Sequence, residues 1–168
     1  MNARLLILFF ALTVAPWAQR TTVSFPKFED YPVTEVFRGA PAPPKLLRPG
    51  DRAFRTKIRE GAANGPNFAG SYTIASWGCG SSCVSIAVVD ARTGDVYSGP
   101  FDILGWGVAL KYAGVPEDKY EPLSYELSSR LFMVRGCPED GNCGSYFYEW
   151  EAPRFKLIGR VAATPVRH

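Results

Sequence analysis

Short apolar runs bounded by turn residues occupy the chain from Gly65-Pro66 onward, and they predict β-strands over residues 68–77, 83–90 and 96–97. The loop GCGSSC separates the first two runs and DARTGD the next two, where Gly94 supplies the positive φ that a hairpin turn requires. The same order returns further on. Residues 130–136 lead into Cys137, the loop PEDGN closes at Cys143, residues 144–150 form the next run, and EAPR turns into 155–158. Gly78-Cys79 corresponds to Gly136-Cys137, and Ser85 and Ser145 each stand two residues after the second cysteine of their pair. This is a possible internal duplication of a three-stranded meander. It predicts a mainly β fold, with antiparallel meanders forming a sandwich or a partly closed barrel.

One short N-terminal α-helix precedes the strands. Asp51 is its expected N-cap after Pro49-Gly50, Phe54, Ile58 and Ala62 at i, i+4 and i+8 form its apolar face, and Gly61 lies near its end. The other side carries Arg52, Arg55 and Arg59, with Lys45, Arg48 and Lys57 nearby and only Asp51 and Glu60 to offset them. Such a basic stripe reads either as a solvated helix face or as a contact for an anionic glycan, lipid or nucleic acid. Residues 19–50 are rich in proline and contain one β-like run, 33–37, before APAPPK, which predicts an extended arm. Phe25, Phe28, Tyr31 and Phe37 are expected to tie that arm to the body. Residues 98–129 are ambiguous: 101–113 are largely apolar with Gly105 and Gly107 inside, and VPEDKYEP is a polar loop.

The N-terminus sets the expected compartment. Arg4 followed by a ten-residue stretch, 5–14, that is apolar except for Thr13 is a signal-peptide pattern over residues 1–18, and no later segment is long enough to span a bilayer as a helix. The remaining chain is expected to be exported, periplasmic or extracellular, with residues 51–168 forming a single disulfide-bonded domain. A composition 46% apolar and 14% aromatic argues against disorder, and a formal charge of +3, or +2 without Arg4, implies no particular partner. Four cysteines allow three pairings. Each sequential pair brackets a short loop between predicted strands, so hairpin geometry favours Cys79 with Cys83 and Cys137 with Cys143.

The sole histidine is His168, at the very end of the chain, and this argues against catalysis that depends on a held imidazole. A zinc site would need reduced thiols, and DARTGD lacks the alternating oxygen ligands of a calcium loop, so no metal or other cofactor is expected. Carboxylates such as Asp90, Asp102, Glu149 and Glu151 leave open a histidine-independent hydrolysis of envelope polysaccharide by a facing pair. Tyr146, Tyr148 and Trp150 alternate on one strand face, either as core or as a platform for sugar rings; with no basic residues between them, nucleic acid is an unlikely partner. The segments NFAGSYTIASWGCGSSC, VVDARTGDVY, SRLFMVRGCPEDGNCGSYFYEW and FKLI resemble a family of exported bacterial proteins to which no activity is attached. A weaker, architectural likeness is to periplasmic lysozyme inhibitors of the vertebrate-lysozyme type, which present a clamped loop carrying a histidine; neither loop here has one.

The resulting expectation is a noncatalytic binding or inhibitor module of the cell envelope. It would recognise a protein or glycan through the clamped loops, with Trp77, Gly80, Ser81, Ser82, Glu139, Asp140 and Asn142 as contact residues. A carboxylate hydrolase and a structural envelope protein are the alternatives.

Overall fold

The structure is a computed structural model that describes residues 24–99, 103–112, 114–137 and 142–163; the expected signal peptide, Asp102, Glu139, Asp140 and His168 lie outside them. Two antiparallel sheets of four strands each form its framework. The first contains β1 (Tyr72–Gly80), β2 (Cys83–Asp90) and β3 (Val96–Ser98) in order, with β4 (Ile103–Leu104) pairing the start of β2. The second runs β5 (Leu123–Tyr125), β6 (Leu131–Gly136), β7 (Gly144–Glu151) and β8 (Arg154–Ala162). Side chains of both sheets share one core: Tyr72, Ile74, Ile86 and Val88 from the first meet Phe132, Val134, Tyr146, Tyr148 and Trp150 from the second. Neither sheet closes on itself, so the fold is a sandwich and not a barrel. Trp150 is 3% exposed and lies against Tyr72, Tyr97 and Phe155, so the aromatic row of β7 is core and not a sugar platform.

The two meanders share a register. Trp77 and Arg135, each two residues before the first cysteine of their pair, oppose Ser85 and Ser145, each two residues after the second. Ala87 and Phe147, four residues after it, oppose Ser98 and Gly159 of the third strand. The copies differ in where the fourth strand of each sheet enters. β4 comes after the first meander, whereas β5 comes before the second.

Sheet one is buried on both faces, which explains why β2 reads as an almost continuous apolar run. Val84, Ile86 and Val88 face the inter-sheet core, while Ala87 and Val89 pack under the helices with Ile58 and Ala62. The expected single helix is two: α1 (Pro49–Ala53) and α2 (Arg55–Ala63), broken at Phe54. Arg48, not Asp51, is the N-cap; Asp51 is the third residue of α1, and its buried carboxylate accepts bonds from Arg48 N at 3.1 Å, Nε at 3.0 Å and Nη2 at 2.7 Å. The break turns Phe54 away from the sheet-facing row, leaving it 46% exposed and stacked on Trp77 at 4.9 Å. Gly61 is not a terminator but a point of close approach: a Cβ there would lie 2.6 Å from that of Ala75.

The strand expected from residue 68 begins at Tyr72, because Phe68 and Tyr72 exchange backbone bonds across a tight turn with Ala69 and Gly70 at positive φ. The β-like run at 33–37 forms no strand. Residues 24–48 instead cross the surface, docking through Val33 N to Ser128 O, Phe37 N to Gly70 O, Ala42 N to Ala91 O and Lys45 N to Gly94 O. Ser129, 1% exposed, bonds through its hydroxyl to the carbonyls of Phe28 and Tyr31 and accepts from Leu131 N. On the outer face of sheet two, Phe25 stacks on Phe147. The ambiguous segment 98–129 holds β4, α3 (Trp106–Tyr112) and β5.

Gly94 has φ +78, and a Cβ on it would collide with the Pro43 carbonyl of the arm. Gly94→Ala should therefore cost about 1–3 kcal/mol in chemical denaturation. Gly50→Ala, where nothing lies within 4 Å, should not destabilise. A second expectation concerns alkali. Burial raises the Tyr97 and Tyr125 hydroxyls above the ordinary tyrosine value of 10.0, so the unfolded chain ionises first. Their contribution is complete below that value and is lost as pH rises through it toward the folded values, so melting temperature should fall above about pH 10, and Tyr125→Phe should flatten the fall.

Candidate functional site

Both disulfides form as expected, and no cysteine is free. In the first hairpin Gly78 pairs with Val84 and Gly80 with Cys83, which leaves Cys79 bulged out of the ladder; it bonds Cys83 with the Cα atoms 5.1 Å apart. Ser81 and Ser82 form the turn, with Ser82 at φ +50. In the second hairpin Gly136 pairs with Gly144, and Cys137 bonds Cys143. The base of that loop is held from two sides: the buried Tyr146 hydroxyl donates to the Asn142 carbonyl, and Ala163 N donates to the Cys143 carbonyl at 2.9 Å.

The segment joining β4 to α3 brings the clamps together. β4 pairs with Cys83 and Val84 of the first hairpin. Gly105, at φ +58, abuts the second: a Cβ there would lie 3.0 Å from Cys137 Sγ. Two residues on, a Cβ at Gly107 would lie 3.2 Å from Ser82 Oγ. Two residues of chain span at most about 7 Å, so both clamps occupy one end of the sandwich. Trp106, between the two glycines, packs on the inter-sheet core and meets Tyr120 edge-on at 6.2 Å.

The described residues of the two loops themselves carry no charge; Glu139 and Asp140 of the second loop lie outside the described residues. Gly80, Ser81 and Asn142 are exposed and Ser82 half-buried, so the surface offers hydroxyl, amide and backbone hydrogen-bonding groups on a stiffened frame. Trp77 does not belong to the tip. Its ring lies on the outer face of β1 beneath Phe54, and its buried Nε1 has no partner. Arg52, Arg55 and Arg59 are exposed on the helical layer, apart from the loops.

Among the described residues, three carboxylates considered for a catalytic pair are engaged with cations. Asp90 pairs with Arg92 at 2.9 Å, Glu149 with Arg130 at 2.6 Å and Glu151 with Lys156 at 2.8 Å. A side-chain hydrogen bond from Lys156 holds Glu151 below the ordinary carboxyl range, the direction opposite to that of a general acid. Among the described residues no cluster of three or more His, Cys, Asp or Glu side chains is placed to hold a metal ion, and no helix is long and apolar enough to cross a membrane.

Sequence reasoning missed Gly105 and Gly107 as the bridge between the loops. Two glycines flanking a tryptophan in an apolar run were the available signal, since glycine marks places where another chain segment approaches closely. Among known proteins, no family model, no curated protein and no solved structure matches the chain. Gly105→Ala should destabilise by about 1–2 kcal/mol, because its left-handed backbone and its contact with Cys137 both disfavour a Cβ. Gly114→Ala, also at positive φ but with nothing within 4 Å, should lose only the backbone part, a difference that paired denaturation curves would measure.

Proposed function

We propose that the chain is an exported, noncatalytic binding or inhibitor module that recognises a protein or glycan of the cell envelope through the end of the sandwich carrying both clamps. The observation that supports this most is the convergence of the two disulfide-bonded hairpins on the Gly105–Gly107 segment, which assembles one surface from loops far apart in sequence. A rigid loop loses little conformational entropy on binding, so disulfides that clamp such short loops favour recognition more than global stability. The hydroxyl and backbone groups of the first loop suit sugar hydroxyls or a partner's backbone. Two disulfides also accord with an oxidising compartment, in line with the signal-like N-terminus.

Capture from envelope extract by the wild-type chain and by two loop variants tests the reading. Exchanging residues 80–82, or Asn142 together with its neighbours in the second loop, should abolish capture while leaving the melting temperature within a few degrees of wild type. Capture at full affinity by both variants would remove the proposal.

A further inference from the structure

The helical layer presents a second surface, built from residues outside the clamped loops. Leu47, just before α1, is 72% exposed, and Phe54, at the break between α1 and α2, is 46% exposed. Phe54 is backed by the Trp77 ring at 4.9 Å, so it protrudes from a firm base. Arg52 donates from Nη2 to the Leu47 carbonyl at 2.9 Å and from Nε to the Leu46 carbonyl at 3.3 Å, which sets its guanidinium beside the exposed leucine. Arg55 donates in turn to the Arg52 carbonyl, and Arg59 stands one turn further along α2.

Three cations of this layer are uncompensated. Lys45, Arg48, Arg92, Arg130 and Lys156 each have a carboxylate within ion-pair distance. Arg52, Arg55 and Arg59 have none among the described residues, because Asp51 is buried against Arg48 and Glu60 faces Lys57. Uncompensated cations alone would suit any polyanion. Leu47, aliphatic and largely exposed, has no ring face on which a base or a sugar could stack, and an apolar phase satisfies it where a nucleic acid or an acidic glycan does not.

We propose that this surface docks on an anionic lipid bilayer, with Leu47 and Phe54 entering the interface and Arg52, Arg55 and Arg59 against the headgroups. The interfacial region accepts apolar side chains to a depth of several ångströms, and anionic headgroups attract the cations around them. The two contributions reinforce one another, and loss of either weakens the whole.

The test is flotation of the protein with vesicles of equal parts phosphatidylglycerol and phosphatidylcholine, compared with vesicles of phosphatidylcholine alone. Wild type should float with the mixed vesicles and not with the neutral ones, and added salt should release it. Arg52→Gln/Arg55→Gln/Arg59→Gln should lower partitioning roughly a hundredfold, from about fivefold per cation. Leu47→Ser/Phe54→Ser should lower it at least tenfold. Arg55→Gln/Arg59→Gln, which leaves the Arg52 bonds to the arm intact, should still lose more than tenfold, and unchanged melting curves would show that the variants fold. Wild type that floats with neither vesicle, or with both equally, overturns the proposal, as does undiminished binding by the charge variants. Retention on heparin or DNA without flotation would overturn it in favour of a soluble polyanion. Loop variants at residues 80–82 should float like wild type, so failure here leaves the clamped-end reading untouched.

Discussion

Phe68 is the residue at which the parts of the molecule meet. Its fully buried ring contacts Tyr125, Phe132, Trp150 and Phe155 from sheet two, while its backbone opens the turn that launches β1 of sheet one. That turn frees polar groups which must find partners. Ala69 N reaches the carbonyls of Glu126 and Ser129, Gly70 N reaches that of Leu127, and the Gly70 carbonyl accepts from Phe37 of the arm. A buried phenylalanine of this kind accounts for about 3–5 kcal/mol, a large share of a typical domain's net stability. Sheet packing, arm docking and the position of β1 therefore depend on one side chain.

The two proposed surfaces divide the labour by chemistry. One end of the sandwich is stiffened by covalent bonds and presents hydroxyl and backbone groups at its first loop, which favours directional hydrogen bonding. The helical layer is cationic with protruding apolar groups, which favours a broad, weakly directional contact. Because sheet one lies under the helices and also carries the first clamp, a single rigid element connects the two.

Much of the fold was legible where local chemistry and tertiary structure agree. Cys83 to Asp90 lies between two turns, and its expected limits coincide with those of β2; both disulfides accord with their hairpins. Disagreement arose where the partner was distant. NFAGSYTIASW is uniformly β-like, and nothing within it says that Ala69 will adopt φ 44 so that Phe68 can fold back into the core. Asp51 is an exception, a local one: it has the form of an N-cap, but Arg48 three residues earlier claims its carboxylate. The role of Gly105 depends on Cys137, 32 residues later, and the burial of Trp150 depends on which face of β7 meets the opposing sheet.

The hydroxyl of Ser129 grips carbonyls at Phe28 and Tyr31, across 101 and 98 positions of sequence. In a chain made N-terminus first, Phe28 and Tyr31 emerge early and wait for most of the domain before their receptor exists. Contacts between such remote positions form late, because closing so long a loop must precede any reward. The order of synthesis thus delays docking of residues 28–33 until Ser128 and Ser129 have been made, whereas residues 37–45 meet Gly70, Ala91 and Gly94 much earlier.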